Sequence, residues 1–229
     1  MTNINDDDWI EVYSGAVTNT TPNSTVTVEL SLDAPSICPN MTDSEFRKLV
    51  LSLTDEAVAI TKQRVSQLTL WTPEIQMRVA TWFGTADPST RGKLIWGLGA
   101  LVTVMSNLTA RNFVRPGSSR DLATGCMPNT KSLTNVVAHV CGPDVATHTI
   151  AIGIDFCTLP DRSASKLSSK QLTIVHECSH FIDTFGTTDV PNGYGRTACE
   201  ILAKTRPDQA IINADSIAWF VLAKGDMKV

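Results

Sequence analysis

The run Val175-His-Glu-Cys-Ser-His-Phe181 constrains this chain more than any other stretch. It reads HExxH. On an α-helix, residues four apart lie on one face about 5.4 Å apart along the axis, so His176 and His180 can aim two imidazoles at one metal ion. Glu177 then stands beside that ion, able to reach a water there without being a ligand itself, as metal-assisted hydrolysis requires. Ordinary composition makes such a pattern rare by accident, in well under about one chain in a hundred of this length. The competing reading is a surface helix with two solvated histidines, and the flanking residues argue against it. Leu172, Ile174, Val175 and Phe181 give the helix an apolar side to bury, and Ser168 with Gln171 forms a capping box at its start.

Two histidines leave a catalytic zinc site one protein ligand short, because such a site takes three and keeps a position for water. The chain has four histidines. His139 and His148 fall upstream in strand-like runs, NVVAHV and ATHTIAI, where a histidine is more often a hydrogen-bonded or exposed side chain than a ligand. No histidine follows His180, so the third ligand reads as a carboxylate, with Asp183, Asp189, Glu200, Asp208 and Asp215 as candidates. Asp183 would share the helix, but its short side chain would crowd a metal already held by both histidines. Glu200 lies inside TACEILAK, where a second helix could return a glutamate to the metal as in thermolysin-like enzymes. Asp189 follows Phe185-Gly186-Thr187-Thr188, a glycine turn that ends the helix and lets the chain double back. Residue chemistry alone leaves Asp189 and Glu200 both open.

The run HECSHFIDTFGTTDVPNGYG, followed by NADSIAWF, resembles the aspzincin metalloendopeptidases, the family of deuterolysin and the fungal peptidyl-Lys endopeptidases. The resemblance covers roughly residues 38 to 223 and is specific in the last fifty. It implies a zinc endopeptidase with His176, His180 and Asp189 as the metal ligands, one zinc ion per chain and Glu177 as general base. It also implies Tyr194 as the group that stabilises the oxyanion. This chain has six residues between its GT and YG pairs where family members usually have four, which bears on where Tyr194 is placed. In the lysine-specific members the Asp of NAD and a Glu three residues later bind the ammonium of the residue just after the scissile bond. Asp215 matches the first, but position 218 is Ala, so the resemblance implies a leaky preference for Lys or Arg through Asp215. The other reading of Asp215 is a structural residue that positions its helix.

The rest of the chain supplies the scaffold. With 229 residues, 42% hydrophobic, 18% charged and a net charge of −4, the composition is that of a globular domain able to bury a core. No basic stripe is available for phosphates, which argues against a nucleic-acid partner. The longest apolar run, Leu94 to Met105, is too short to span a bilayer and reads as a buried helix. The expected partners are protein or peptide substrates, with no membrane and no second subunit.

Residues 1–37 read as a β-rich N-terminal extension or pro-segment, with alternation in TVTVELSL, and 38–229 as the catalytic domain. The first residues carry no apolar stretch behind a positive start, so no signal peptide is legible, although the resemblance implies a secreted protein. Thr42 and Glu45 open a helix running to about Leu68; Thr72-Pro73 opens a second ending at Gly84, and Asp87-Pro88 a third ending near Leu108. Residues 113–157 turn to short strands, one of whose edges could pair with an extended substrate. Two closing helices are expected over Thr197–Lys204 and Pro207–Ala223. The fold class is therefore α+β: a helix-rich, zincin-like domain with a small β-sheet. Six cysteines without CxxC spacing argue against a second zinc site. The resemblance implies that Cys38 and Cys157 each bond into the 126–141 region and that Cys178 bonds Cys199; the alternative for the last two is a pair of buried free thiols.

Overall fold

The computed structural model describes residues 9–16, 25–31, 36–126, 136–163 and 167–224. The predicted extension contributes strands β1 (Trp9–Ala16) and β2 (Thr25–Ser31), paired antiparallel as a two-stranded ribbon. The remainder of residues 1–35 lies outside the described residues.

Three helices follow as expected, because their end signals are local. Helix α1 (Asp43–Leu70) starts at a capping box in which Thr42 and Glu45 satisfy each other's backbone N–H groups. Its buried face, Phe46, Val50, Leu53, Ala57 and Leu68, recurs at helical spacing. Helix α2 (Pro73–Phe83) begins with proline at its first turn and ends at Gly84, whose φ of +73° suits glycine. In α3 (Pro88–Asn107) the Asp87 carboxylate accepts from the Thr90 N–H at 2.8 Å. The apolar run from Leu94 is buried on one side, as read from the sequence.

After a 3-10 turn at Ala110–Asn112 come β3 (Phe113–Val114), α4 (Ser119–Ala123), β4 (Ala138–Val140), β5 (Ile150–Ile152) and α5 (Ile154–Thr158). Strand β5 lies between a parallel β3 and an antiparallel β4, so β4 is an edge of this small sheet. Helix α6 (Lys170–His180) carries HExxH and packs on α1, α3, β4 and the last helix.

Helix α6 begins one residue later than the sequence suggests. Ser169, not Ser168, is its cap, and Gln171 turns away to donate to the Leu53 carbonyl in α1. The C-terminal part also departs from expectation. Helix α7 (Arg196–Thr205) is as read, but Pro207–Ala223 divides into α8 (Pro207–Ala210) and α9 (Ala214–Leu222). The break falls at Asn213, which forms a bridge with Thr188 and whose side chain serves the metal loop. All of α9 is buried, as suits a short helix apolar around most of its circumference. Trp219 stacks on Trp82 of α2, and Phe220 packs on Phe83. Full burial of such side chains stabilises by about 1.5–3 kcal/mol each. Arg64 and Arg78 donate to the Val221, Phe220 and Ala223 carbonyls, placing cations where the α9 dipole is negative.

The disulfide pairing implied by the resemblance is not the one formed. Cys38 bonds Cys157, and Cys126 bonds Cys141. Cys178 and Cys199 are free and buried; Cys199 donates instead to the Gly193 carbonyl. Each thiol sits in an apolar environment that raises its pKa, Cys199 to about 12, so neither is poised as a thiolate.

Candidate metal centre

One turn of α6 separates His176 and His180, and their Nε2 atoms lie 3.2 Å apart. Asp189 Oδ1 is 3.2 Å from the first and 3.5 Å from the second. A tetrahedral ion with ligand bonds of about 2.0–2.2 Å has edges of roughly 3.3–3.5 Å, so these three atoms match one face of a zinc tetrahedron. Among the described residues this is the cluster of His, Cys, Asp or Glu able to converge on one ion.

The remaining ring nitrogens settle which atoms face that point. His176 Nδ1 is 2.7 Å from Asp215 Oδ1, and His180 Nδ1 is 2.9 Å from the Thr187 carbonyl. Both partners only accept, so both Nδ1 atoms carry hydrogen and both Nε2 atoms present lone pairs when the rings are neutral. Two lone pairs at 3.2 Å repel unless a cation or a proton lies between them. Burial lowers the His176 pKa, but hydrogen bonds to Asp189 and Asp215 outweigh it and lift the value to about 10. Burial likewise opposes ionisation of Asp189, yet His176, His180 and Tyr194 hold it down to about 2.

Asp189 reaches the histidines through a short backbone reversal. The helix stops at Phe181, Gly186 adopts φ +58°, and the Thr187 N–H donates to the Ser179 carbonyl. Gly97 of α3 makes the reversal compact: a Cβ there would stand 2.3 Å from the Phe185 ring. The NAD segment then clamps the far side. Thr188 N–H donates to Ile212 O, Ala214 N–H donates to Thr188 O, and Asn213 Oδ1 accepts from Val190 N–H. Asp189 is thus flanked by three hydrogen bonds to residues 212–214. Asn213 Nδ2 continues to the Gly193 carbonyl, which steers the loop towards Tyr194.

Glu177 is buried and lines the same cleft of 760 Å³ without joining the converging set. Burial raises its pKa above the usual carboxylate range, with His176 and His180 pulling the other way. Tyr194, despite the longer loop before it, stacks beside His176 with ring centroids 5.9 Å apart and hydrogen-bonds Asp189. Burial and that carboxylate push its phenol pKa up, so it is a neutral O–H donor at the edge of the metal point.

Residues 72–222 match the family described as lysine-specific metallo-endopeptidase, the aspzincins. The chain belongs to the aspzincin family. A 48-residue stretch is 46% identical to the peptidyl-Lys metalloendopeptidases of Grifola frondosa and Pleurotus ostreatus. It covers 21% of this chain, 13% of the Grifola relative and 27% of the Pleurotus relative. A solved zinc peptidase from Grifola frondosa has the same fold, with a TM-score of 0.58 at 23% identity over 78% of this chain and 94% of its own.

Within this aspzincin the other carboxylate candidates are employed elsewhere. Asp183 pairs with His148 at 3.0 Å, Glu200 pairs with Arg196 one turn away on α7, and Asp208 sits in the first turn of α8. Asp215 is not open to a substrate cation: Oδ1 is held by His176, and Oδ2 accepts the Gly195 N–H at 2.5 Å. Ala218 is fully buried in the core, where a glutamate would be a buried charge and not a second pocket wall. Sequence reasoning missed Asn213 and Thr187. The NAD motif puts Asn213 at the start of α9, but its side chain caps no N–H of that helix and is committed to Val190, Gly193 and Ser216 instead, a tie that only the folded loop reveals.

Proposed function

We propose that this chain is a zinc-dependent endopeptidase in which His176, His180 and Asp189 hold one zinc ion. The observation that carries the reading is the convergence of two tautomer-fixed imidazole nitrogens and one carboxylate oxygen at tetrahedral-edge distances, with Glu177 beside them and outside the set. The donor set of two imidazoles and a carboxylate suits zinc. Zinc, when bound, polarises a scissile carbonyl and makes a water acidic enough to attack near neutral pH.

The chain's own residues supply the rest. Glu177 takes a proton from the attacking water and delivers it to the leaving amine; its burial strengthens it as a base relative to an exposed carboxylate. Tyr194 donates its O–H to the oxygen that becomes negative as the carbonyl is attacked. Asp215 keeps His176 turned towards the ion. Edge strand β4, whose residues line the cleft, pairs with the extended substrate backbone.

The names of the relatives, peptidyl-Lys metalloendopeptidases, support lysine at the cut, and the family resemblance puts it just after the scissile bond. Two disulfides support an oxidising compartment, and therefore secretion. Digestion of a mixed protein substrate, with mass-spectrometric mapping of cut sites and a chelator control, tests the reading. Cuts before lysine that cease on chelation and return with zinc are expected; chelator-resistant cutting, or none at any zinc level, rejects it.

A further inference from the structure

His139 was set aside as a strand histidine, yet it lies on the cleft wall and is held by a buried partner. Its Nε2 is 3.0 Å from Asp121 Oδ1. Asp121, on α4, is 5% exposed, and its other oxygen accepts the Gly117 N–H at 2.7 Å, so the carboxylate cannot swing away. The pair is lopsided: the imidazole side chain is 28% exposed and the carboxylate 7%. What the cleft meets is therefore the imidazole, with the carboxylate behind it. The hydrogen bond to Asp121 raises the ring's pKa, burial lowers it, and Glu177 on α6 adds to the rise.

Its place in the sheet says what it would meet. His139 pairs across the ladder with Ala151 of β5, a side chain small enough to leave the ring uncrowded on that flank. Among the described residues, no strand pairs with β4 on its other flank. A peptide added there sets one residue opposite His139 on the same face, with Cβ atoms about 4.5–5.5 Å apart. Among the described residues no Lys or Arg lines the cleft, whereas Glu177, Asp189 and Asp215 do. Among the described lining residues, His139 is the basic side chain outside the set that would hold the ion.

We propose that His139, fixed by Asp121 on the edge of β4, is a specificity residue whose subsite takes an acidic side chain of the substrate, one position along the strand-paired peptide. The proposal rests on the endopeptidase reading for the direction of the substrate. A Glu at that position gains a charge-assisted hydrogen bond to the ring; because the site is partly solvated, the preference over Gln is about fivefold to tenfold.

The test uses the full zinc-loaded chain and a set of lysine-containing peptides in which each position around the cut carries Glu, Gln or Ala in turn. One position should show the Glu preference in kcat/KM, and His139→Gln should bring Glu and Gln to parity while cutting of the Gln peptide stays within about twofold. Zinc content and Tm of the variant check its fold. A Glu-to-Gln ratio unchanged by His139→Gln, or no acid-preferring position in the parent, overturns the proposal. If the parent cuts nothing, the endopeptidase reading fails separately. The His139 subsite is then read from histidine ring resonances of the Glu177→Gln chain, which needs no turnover and no change at His139. The His139 signal should move with the Glu peptide and not with its Gln counterpart; equal movement, or none, also overturns it.

Discussion

Asp215 holds His176 by a 2.7 Å hydrogen bond from Nδ1 to Oδ1, and its Oδ2 accepts the Gly195 N–H, so the carboxylate has no freedom to turn away from the ring. A residue that the sequence places in a substrate pocket is thereby tied to a metal-facing imidazole. Asp215→Asn should weaken zinc binding or activity by about 10- to 100-fold, the usual cost of losing such a partner. Chelator-competition titration and turnover on a lysine peptide check it. Intact zinc affinity with loss of lysine preference alone would return Asp215 to the substrate pocket.

Glu177 separates chemistry from metal binding. Glu177→Gln should lower turnover by about 10²- to 10⁴-fold. Zinc should stay near one ion per chain by atomic absorption. A variant that loses its zinc would show that Glu177 is a ligand.

The third ligand can be tested with a paired substitution. Asp189→Ala should empty the site at zinc levels that fill the parent. Glu200→Ala should leave zinc in place, because Glu200 is engaged by Arg196 at 3.0 Å. The reverse pattern would place the chain with the thermolysin-like arrangement.

How much of this was legible in the sequence depends on the range of each interaction. The start of α1 at Thr42, the proline-led start of α2 and the Asp87 cap of α3 are encoded within four residues and were readable. The pairing of His176 with His180 was readable for the same reason, since one helical turn joins them. The Cys38–Cys157 pairing was not, because it joins residues 119 apart and depends on how α1 meets α5. Nor was the tie from Asp121 to His139, which only the packing of α4 against β4 creates. Ser168 was a near miss: Gln171 meets the serine-cap pattern on paper, but a long-range acceptor in α1 claims its side chain.

Proton competition for His176 gives a pH dependence with a definite sign. Its value in the metal-free fold is about 10, against 6.5 for the free side chain. Zinc needs the neutral ring, so loading at pH 7 should release about one proton from this residue, and apparent affinity should rise about tenfold per pH unit through the neutral range. The raised value also stabilises the metal-free fold: fully below pH 6.5, and progressively less as pH climbs through 10. Calorimetry of zinc binding in buffers of different ionisation enthalpy measures the proton count. Zero release at pH 7 would contradict the assignment of Nε2 as the ligand atom.

Both disulfides end at or before Cys157, and from α6 onward Cys178 and Cys199 stay apart. The scaffold half of the domain is therefore sewn covalently, while on the proposed site the other half would be sewn by the ion. With zinc bound, two points on α6 are joined to the Asp189 loop, and the Asp215 bond carries that join into α9. A reductant and a chelator would then loosen opposite halves of one domain. On the proposed zinc site, loss of the ion is expected to loosen the 181–215 segment first, while Cys38–Cys157 still closes the helices below.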